Sequence, residues 1–255
     1  MANYDYEIIN GRKIRVRPKE TVSEIDKNGY FRRQPNHFTT LFGDGENDLK
    51  AEGNKRYRLV WAKLCHWSNR AAIVRELEGL EDQISVNMVE HAPHEKNLGW
   101  EYVYNENNID PVLGDQFLSE AYYRADDDYQ GRTTVPALID TTTGKVVNND
   151  YNWLTTYFEV NFRPWHKKGV PELYPVELRE EIERGLSALS PEHREVLILR
   201  EIHQLRYDEI ADSLSLDVGT VKSRISRARK QLRNFLLKSG NFSPLPASKG
   251  TEKEG

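Results

Sequence analysis

Apolar residues near the carboxyl end recur with a helical period. Val221, Ile225, Ala228 and Leu232 stand three or four residues apart and predict one buried stripe on a helix running from Val218 to Lys238. Just before it, Tyr207, Ile210, Ala211 and Leu214 give a shorter helix. Ser215, Leu216 and Asp217 break the period, and Asp217 is a good N-cap for the longer helix. Further upstream the pattern is mixed. Tyr57 to Leu64 is short, apolar and β-like, Ser68 to Leu77 reads as a helix and Ile84 to Val89 as a second strand. Phe117 to Ala125 suits a helix. Val135 to Ile139 and Lys145 to Val147 suit strands flanking the Thr142-Thr143-Gly144 turn, and Tyr151 to Phe162 suits a closing helix. Residues 1–56 are polar and weakly periodic and are expected to form an arm.

Composition sharpens this picture at the carboxyl end. The 255 residues carry a net charge of −4, yet Val218 to Lys238 holds seven Lys or Arg and no Asp or Glu, leaving −11 for Met1 to Asp217. Only the last helix invites polyanions. One cysteine excludes an intrachain disulfide framework and suits a reducing compartment, so a cytoplasmic protein is expected. No apolar run is long enough to span a membrane.

Two helices joined by a tight turn, the second with a wholly basic outer face, form the layout of a DNA-reading helix-turn-helix. A helix in the major groove presents its first turns to base edges, so Lys222, Ser223, Ser226 and Arg227 are the expected readers. Arg224, Arg229, Lys230 and Arg233 sit better for phosphates. Thr220, at the start of the helix, joins the expected contact set.

The order β-α-β-α-β-β-α over residues 57–163 is that of a thioredoxin-like fold. Cys65 sits where its first strand gives way to its first helix, where unpaired amides and the helix dipole favour a thiolate. Val135-Pro136 precedes a later strand, the position at which such folds hold a cis proline beside the thiol. His91 and His94 with Glu90 and Glu95 read as surface residues, and no metal site is expected.

Leu189-Ser190-Pro191-Glu192-His193-Arg194-Glu195-Val196-Leu197, Tyr207-Asp208-Glu209-Ile210-Ala211 and Val218-Gly219-Thr220-Val221-Lys222-Ser223-Arg224 resemble region four of sigma-70 family factors of the extracytoplasmic-function group. The resemblance spans about Leu186 to Lys238. It implies binding to double-stranded promoter DNA near −35 and contact with the β flap of the RNA polymerase core. It does not extend to region two.

The amino-terminal part, about residues 31–180, resembles the glutathionyl-hydroquinone reductases, the Xi-type glutathione transferases. The matching residues include Pro35-Asn36-His37-Phe38-Thr39-Thr40, Cys65-His66-Trp67-Ser68-Asn69-Arg70, Gly99-Trp100, Thr134-Val135-Pro136 and Val147-Asn148-Asn149. This resemblance implies that Cys65 is the catalytic nucleophile and that Trp100, Val135, Pro136 and Asp150 help to hold glutathione, the cosubstrate. His66 stands where many members have proline, and Asp150-Tyr151 where many have Glu-Ser.

The expected organisation is therefore α/β plus all-α. An arm covers 1–56, a thioredoxin-like glutathione transferase-type domain 57–163, a linker 164–177, a helix-turn-helix domain 178–238 and a disordered tail 239–255. Three functions fit this layout. They are a promoter-binding regulator with a thiol or glutathione sensor, a glutathione-dependent enzyme with a DNA-binding tail, and a composite of two truncated families with neither full activity.

Overall fold

In the computed structural model the described residues are 4–16, 24, 25, 27, 29, 33–92, 98–240 and 242. They form two compact units, 1–173 and 174–255.

The first unit is built on a four-stranded sheet. Strands β1 (Asp5–Ile9) and β2 (Arg12–Val16) form a separate hairpin, whereas β3 (Tyr57–Trp61), β4 (Ile84–Met88), β7 (Ala137–Asp140) and β8 (Lys145–Asn148) make the central sheet in the order β4-β3-β7-β8. The pair β3 and β4 is parallel, with Tyr57 opposite Ile84. Helix α1 (His66–Leu77) supplies the crossover that parallel neighbours need. Strand β7 runs antiparallel to both β3 and β8. Helices α2 (Leu118–Ala125) and α3 (Leu154–Val160) complete a thioredoxin-like unit, and short strands β5 (Glu90–His91) and β6 (Trp100–Glu101) pair beside it.

Two apolar clusters flank the sheet, because side chains alternate faces along each strand. Val60, Ala137 and Ile139 pack with Tyr122 and Trp100 on one side. Leu59, Leu138, Phe158 and Phe162 pack with Ala71 on the other.

The structure corrects two expectations from sequence. The first concerns the arm. Residues 4–16 form the β1–β2 hairpin around Asn10 and Gly11, both at positive φ (50° and 77°), and Ile14 and Val16 are buried with Ala92, Leu98 and Phe117. Phe42, Leu49 and Ala51 pack into the second cluster. Sparse apolar alternation suggests an arm here, but Asn-Gly is the strongest short hairpin signal and two buried β-branched residues suffice to seat it.

The second concerns the linker. It begins later than residue 164, since Trp165 packs against the second cluster and the Lys167 amide donates to the Glu78 carbonyl at 3.2 Å. Gly79, at φ +67°, makes room for this: a Cβ there would meet Cβ of Lys167 at 2.6 Å.

Among its described residues the second unit holds four helices, α4 (Val176–Ser187), α5 (Pro191–Glu201), α6 (Tyr207–Leu214) and α7 (Val218–Lys238). Ser190 caps α5 with Pro191 at its first position, an arrangement suited to a helix start. Arg194 donates to the carbonyls of Leu186 (2.9 Å) and Ser187 (2.7 Å), satisfying the end of α4. Val196, Ile210, Ala211, Val221 and Ile225 form one core, continued by Leu189, Leu197 and Ala228. Of the tail, only Ser239, Gly240 and Phe242 fall within the described residues; the expectation of disorder otherwise lies outside them. No described helix is long and apolar enough to cross a membrane.

Ile225 is 1% exposed at the centre of this core. Ile225→Ala should destabilise the second unit by about 2–5 kcal/mol, the usual cost of such a cavity. Urea unfolding followed by helical circular dichroism measures it; an unchanged midpoint would contradict the packing described.

Candidate functional site

The basic face is organised by a cap and a turn. Ser215 ends α6 in the left-handed conformation (φ 54°), and Asp217 accepts from the Thr220 amide at 2.7 Å, fixing the start of α7. The Thr220 hydroxyl also donates to Asp217. These bonds hold the Asp217 carboxyl below its ordinary pKa, the Thr220 hydroxyl contributing most.

With Val221, Ile225 and Ala228 buried, the residues between them are turned outward. Lys222, Ser223, Ser226, Arg227, Arg229 and Lys230 are exposed; Thr220 and Arg224 are half-buried. The expected contacts divide into two groups. Arg229 meets Glu201 at 2.6 Å and Arg224 meets Glu192 at 3.4 Å. Among the described residues, Lys222, Arg227 and Lys230 have no ion-pair partner. Ser223 donates to the Thr220 carbonyl at 2.9 Å, which orients its hydroxyl along the helix.

This unit has a second feature that the sequence does not foretell. Ile182, Leu186, Ile198, Leu232 and Leu236 line an apolar groove of about 610 Å³. Its lining comes from three helices, so no single stretch of chain carries its pattern.

In the first unit, Cys65 is the N-cap of α1 and its Sγ lies 3.5 Å from the Val135 carbonyl. The peptide bond between Val135 and Pro136 is cis. Ser68, fully buried, fixes the bend before α1: its Oγ accepts from the Ala62 amide at 3.1 Å and stands 3.0 Å from the Ala62 and Cys65 carbonyls. The Val135 side is fixed by another buried network. Tyr122 donates to the Thr134 carbonyl at 2.8 Å, and Asn149 donates to both Tyr122 (3.2 Å) and the Thr134 hydroxyl (3.1 Å).

Cys65, Trp100 and Val135 line one cavity of about 510 Å³. Trp100 donates to the Thr133 carbonyl at 3.2 Å, and its indole stacks on His91 at 4.0 Å. Pro136 adjoins this wall, whereas Asp150 is not among the lining residues: its Oδ1 accepts from Asn36 at 3.1 Å and the Asn152 amide at 3.0 Å.

Sequence reasoning misses the two cations in the cavity wall, Arg33 and Arg132. Both pair with the buried Glu24, at 3.0 and 2.8 Å, and Arg132 comes to it from a distant part of the chain. It also misses that Tyr151 stacks on Trp67 at 4.7 Å. Of the histidines read as surface residues, His91 lies against Trp100, while His94 and Glu95 lie outside the described residues.

Comparison with known proteins finds similarity for each unit. Residues 179–232 match the family model for sigma-70, region 4. The chain is 43% identical over 61 residues to the ECF RNA polymerase sigma factor SigE of Mycolicibacterium smegmatis, covering 24% of each chain. It is 34% identical over 161 residues to glutathione S-transferase omega-like 2 of Schizosaccharomyces pombe, covering 62% of this chain and 50% of that one. To the glutathionyl-hydroquinone reductase PcpF of Sphingobium chlorophenolicum it is 33% identical over 135 residues, covering 51% and 41%. A glutathione transferase of Gordonia bronchialis superimposes with a TM-score of 0.52 at 28% identity, over 79% of this chain and 57% of that one. The chain spans about half the length of the curated transferase relatives it matches. Its thioredoxin-like unit is thus similar to glutathione transferases and its helical unit to sigma-70 region 4.

The cap at Asp217 has a pH signature. Because its folded pKa is depressed, its contribution is present above the ordinary carboxylate value and is lost as pH falls through the lowered one. Asp217→Ala should lower the melting temperature of the second unit near neutral pH, with a smaller deficit in acid. Melting curves across pH check this, and a deficit independent of pH would contradict the ionised cap.

Proposed function

We propose that this protein regulates transcription by binding promoter DNA through α7, with the first unit acting as a thiol or glutathione sensor. The observation that carries the reading is the outward face of Lys222, Ser223, Ser226, Arg227 and Lys230, opposite a fully buried stripe. A helix so arranged places hydrogen-bonding groups against base edges and cations against phosphates in one docking. Arg224 and Arg229 reach phosphates by exchanging Glu192 and Glu201 for them. The apolar groove at Leu186, Leu232 and Leu236 supports a docking place for the β flap of the RNA polymerase core.

A second reading, glutathione-dependent reduction, is favoured by one specific observation: Cys65 Sγ lies against Val135 in a cavity that also holds Trp100 and two arginines. The cavity's cations and the main chain at Val135 suit a peptide with free carboxylates. In that chemistry the Cys65 thiolate attacks the glutathionyl sulfur of an S-glutathionyl hydroquinone. The carbon–sulfur bond breaks, the ring carbon takes a proton, and a Cys65–glutathione disulfide forms. A second glutathione thiolate attacks this disulfide, releasing glutathione disulfide and restoring the Cys65 thiolate. Asp150, outside the cavity wall, would serve glutathione only by accepting from its ammonium group.

Electrophoretic mobility shifts on −35-like and unrelated duplexes test the first reading. Arg227→Ala should cost about 1–3 kcal/mol on the preferred sequence and relax the sequence preference, as expected for loss of a guanine contact. Lys230→Ala should weaken all sequences alike and reduce the salt dependence. Equal losses on every duplex for both variants would overturn the assignment of base readers. For the sensor, Cys65→Ser should abolish any glutathione-dependent change in affinity; an unaltered response would remove Cys65 from it.

A further inference from the structure

Away from the cysteine cavity, the first unit gathers three ligand-type side chains in its interior. Glu78 closes the carboxyl end of α1, Glu159 belongs to α3, and His166 comes just after a single 3₁₀ turn at Arg163–Trp165. One oxygen or nitrogen from each lies within 4.8 Å of the others. Glu78 is fully buried and Glu159 is 3% exposed.

Nε2 of His166 lies 2.9 Å from the Phe158 carbonyl, which can only accept, so Nε2 carries a proton and Nδ1 is the ring atom turned toward the carboxylates. Nδ1 stands 2.9 Å from Oε2 of Glu78, and neither Glu78 oxygen has a hydrogen-bond partner among the described residues although both are buried. A buried polar atom left in this way is costly unless a ligand completes it. Glu159 adds a second carboxylate, its charge partly met by Arg163 at 2.7 Å and by the Leu173 amide at 3.3 Å.

We propose that Glu78, Glu159 and His166 form a binding site for one divalent transition-metal ion, with zinc the ion the donors fit best. Imidazole nitrogen and carboxylate oxygen are both donor types that zinc takes, at roughly 2.0–2.2 Å, and the absence of a thiolate leaves a mixed nitrogen–oxygen set. The bond from Nε2 to the Phe158 carbonyl is the outer support that a metal-bound histidine usually has. Arg163 supports Glu159 in the same way. The ion would tie α1, α3 and the segment at His166 together, so its role is structural. The triad is invisible in sequence because its members lie 81 and 7 residues apart.

Zinc titration of the chelator-treated, full-length protein tests the site, with cobalt as a spectroscopic stand-in. The wild type and Cys65→Ser should each bind one equivalent, with a raised melting temperature. The cobalt form should show visible d–d bands without a thiolate charge-transfer band. His166→Gln should weaken binding at least tenfold. Absence of saturable binding, equal affinity in folded His166→Gln, or a thiolate band lost in Cys65→Ser would each overturn the proposal. Should His166→Gln fail to fold, the wild-type cobalt spectrum decides: nitrogen–oxygen ligation supports the site and thiolate ligation refutes it.

Discussion

Burial of one stripe on α7 is the constraint that sets its basic outward surface. Val221, Ile225 and Ala228 have essentially no solvent exposure, packed among residues of α5 and α6. A helix with seven cations and no acids cannot turn those cations inward without a large desolvation cost, so the apolar stripe and the basic face determine each other. Near its far end the same helix approaches α4 closely: a Cβ on Gly185 would stand 2.6 Å from Leu232 Cδ1. The orientation of Lys222 and Arg227 is thus set by contacts on the opposite side of the helix.

The first unit uses a comparable economy around Cys65. The cysteine and Val135 come from segments 70 residues apart, and each is held by buried polar atoms rather than by the cavity itself. Ser68 sets the bend ahead of α1, while Asn149 and Tyr122 hold Thr134 and hence the residue after it. Fully satisfied buried networks of this kind specify one backbone geometry, since any displacement leaves a donor or acceptor without a partner.

Much of this architecture is legible in the sequence, and the reasons differ by element. Helix α7 begins at Val218 as its periodicity and Asp217 cap imply, and β3, β4, β7 and β8 fall within a few residues of the apolar runs that mark them. The β1–β2 hairpin is hard to see because its signal is two turn residues and two buried ones rather than a sustained alternation. The proline and glycine around Trp165 suggest a linker, yet the partly buried tryptophan ring anchors the segment against the second cluster. In the sites, Cys65, Trp100 and Val135 are reachable through local placement and resemblance. Arg33 with Arg132, and Glu78 with His166, are not, because only tertiary packing brings them together.

The central claim is that the amino-terminal half of α7 lies in the major groove of duplex DNA. Dimethyl sulfate footprinting of the full-length protein on its selected duplex tests it directly, because the reagent methylates guanine N7 in the major groove and adenine N3 in the minor groove. The account predicts protection of guanine N7 within one half-turn, lost in Arg227→Ala. Protection confined to adenine N3, or guanine protection unchanged in that variant, would contradict it.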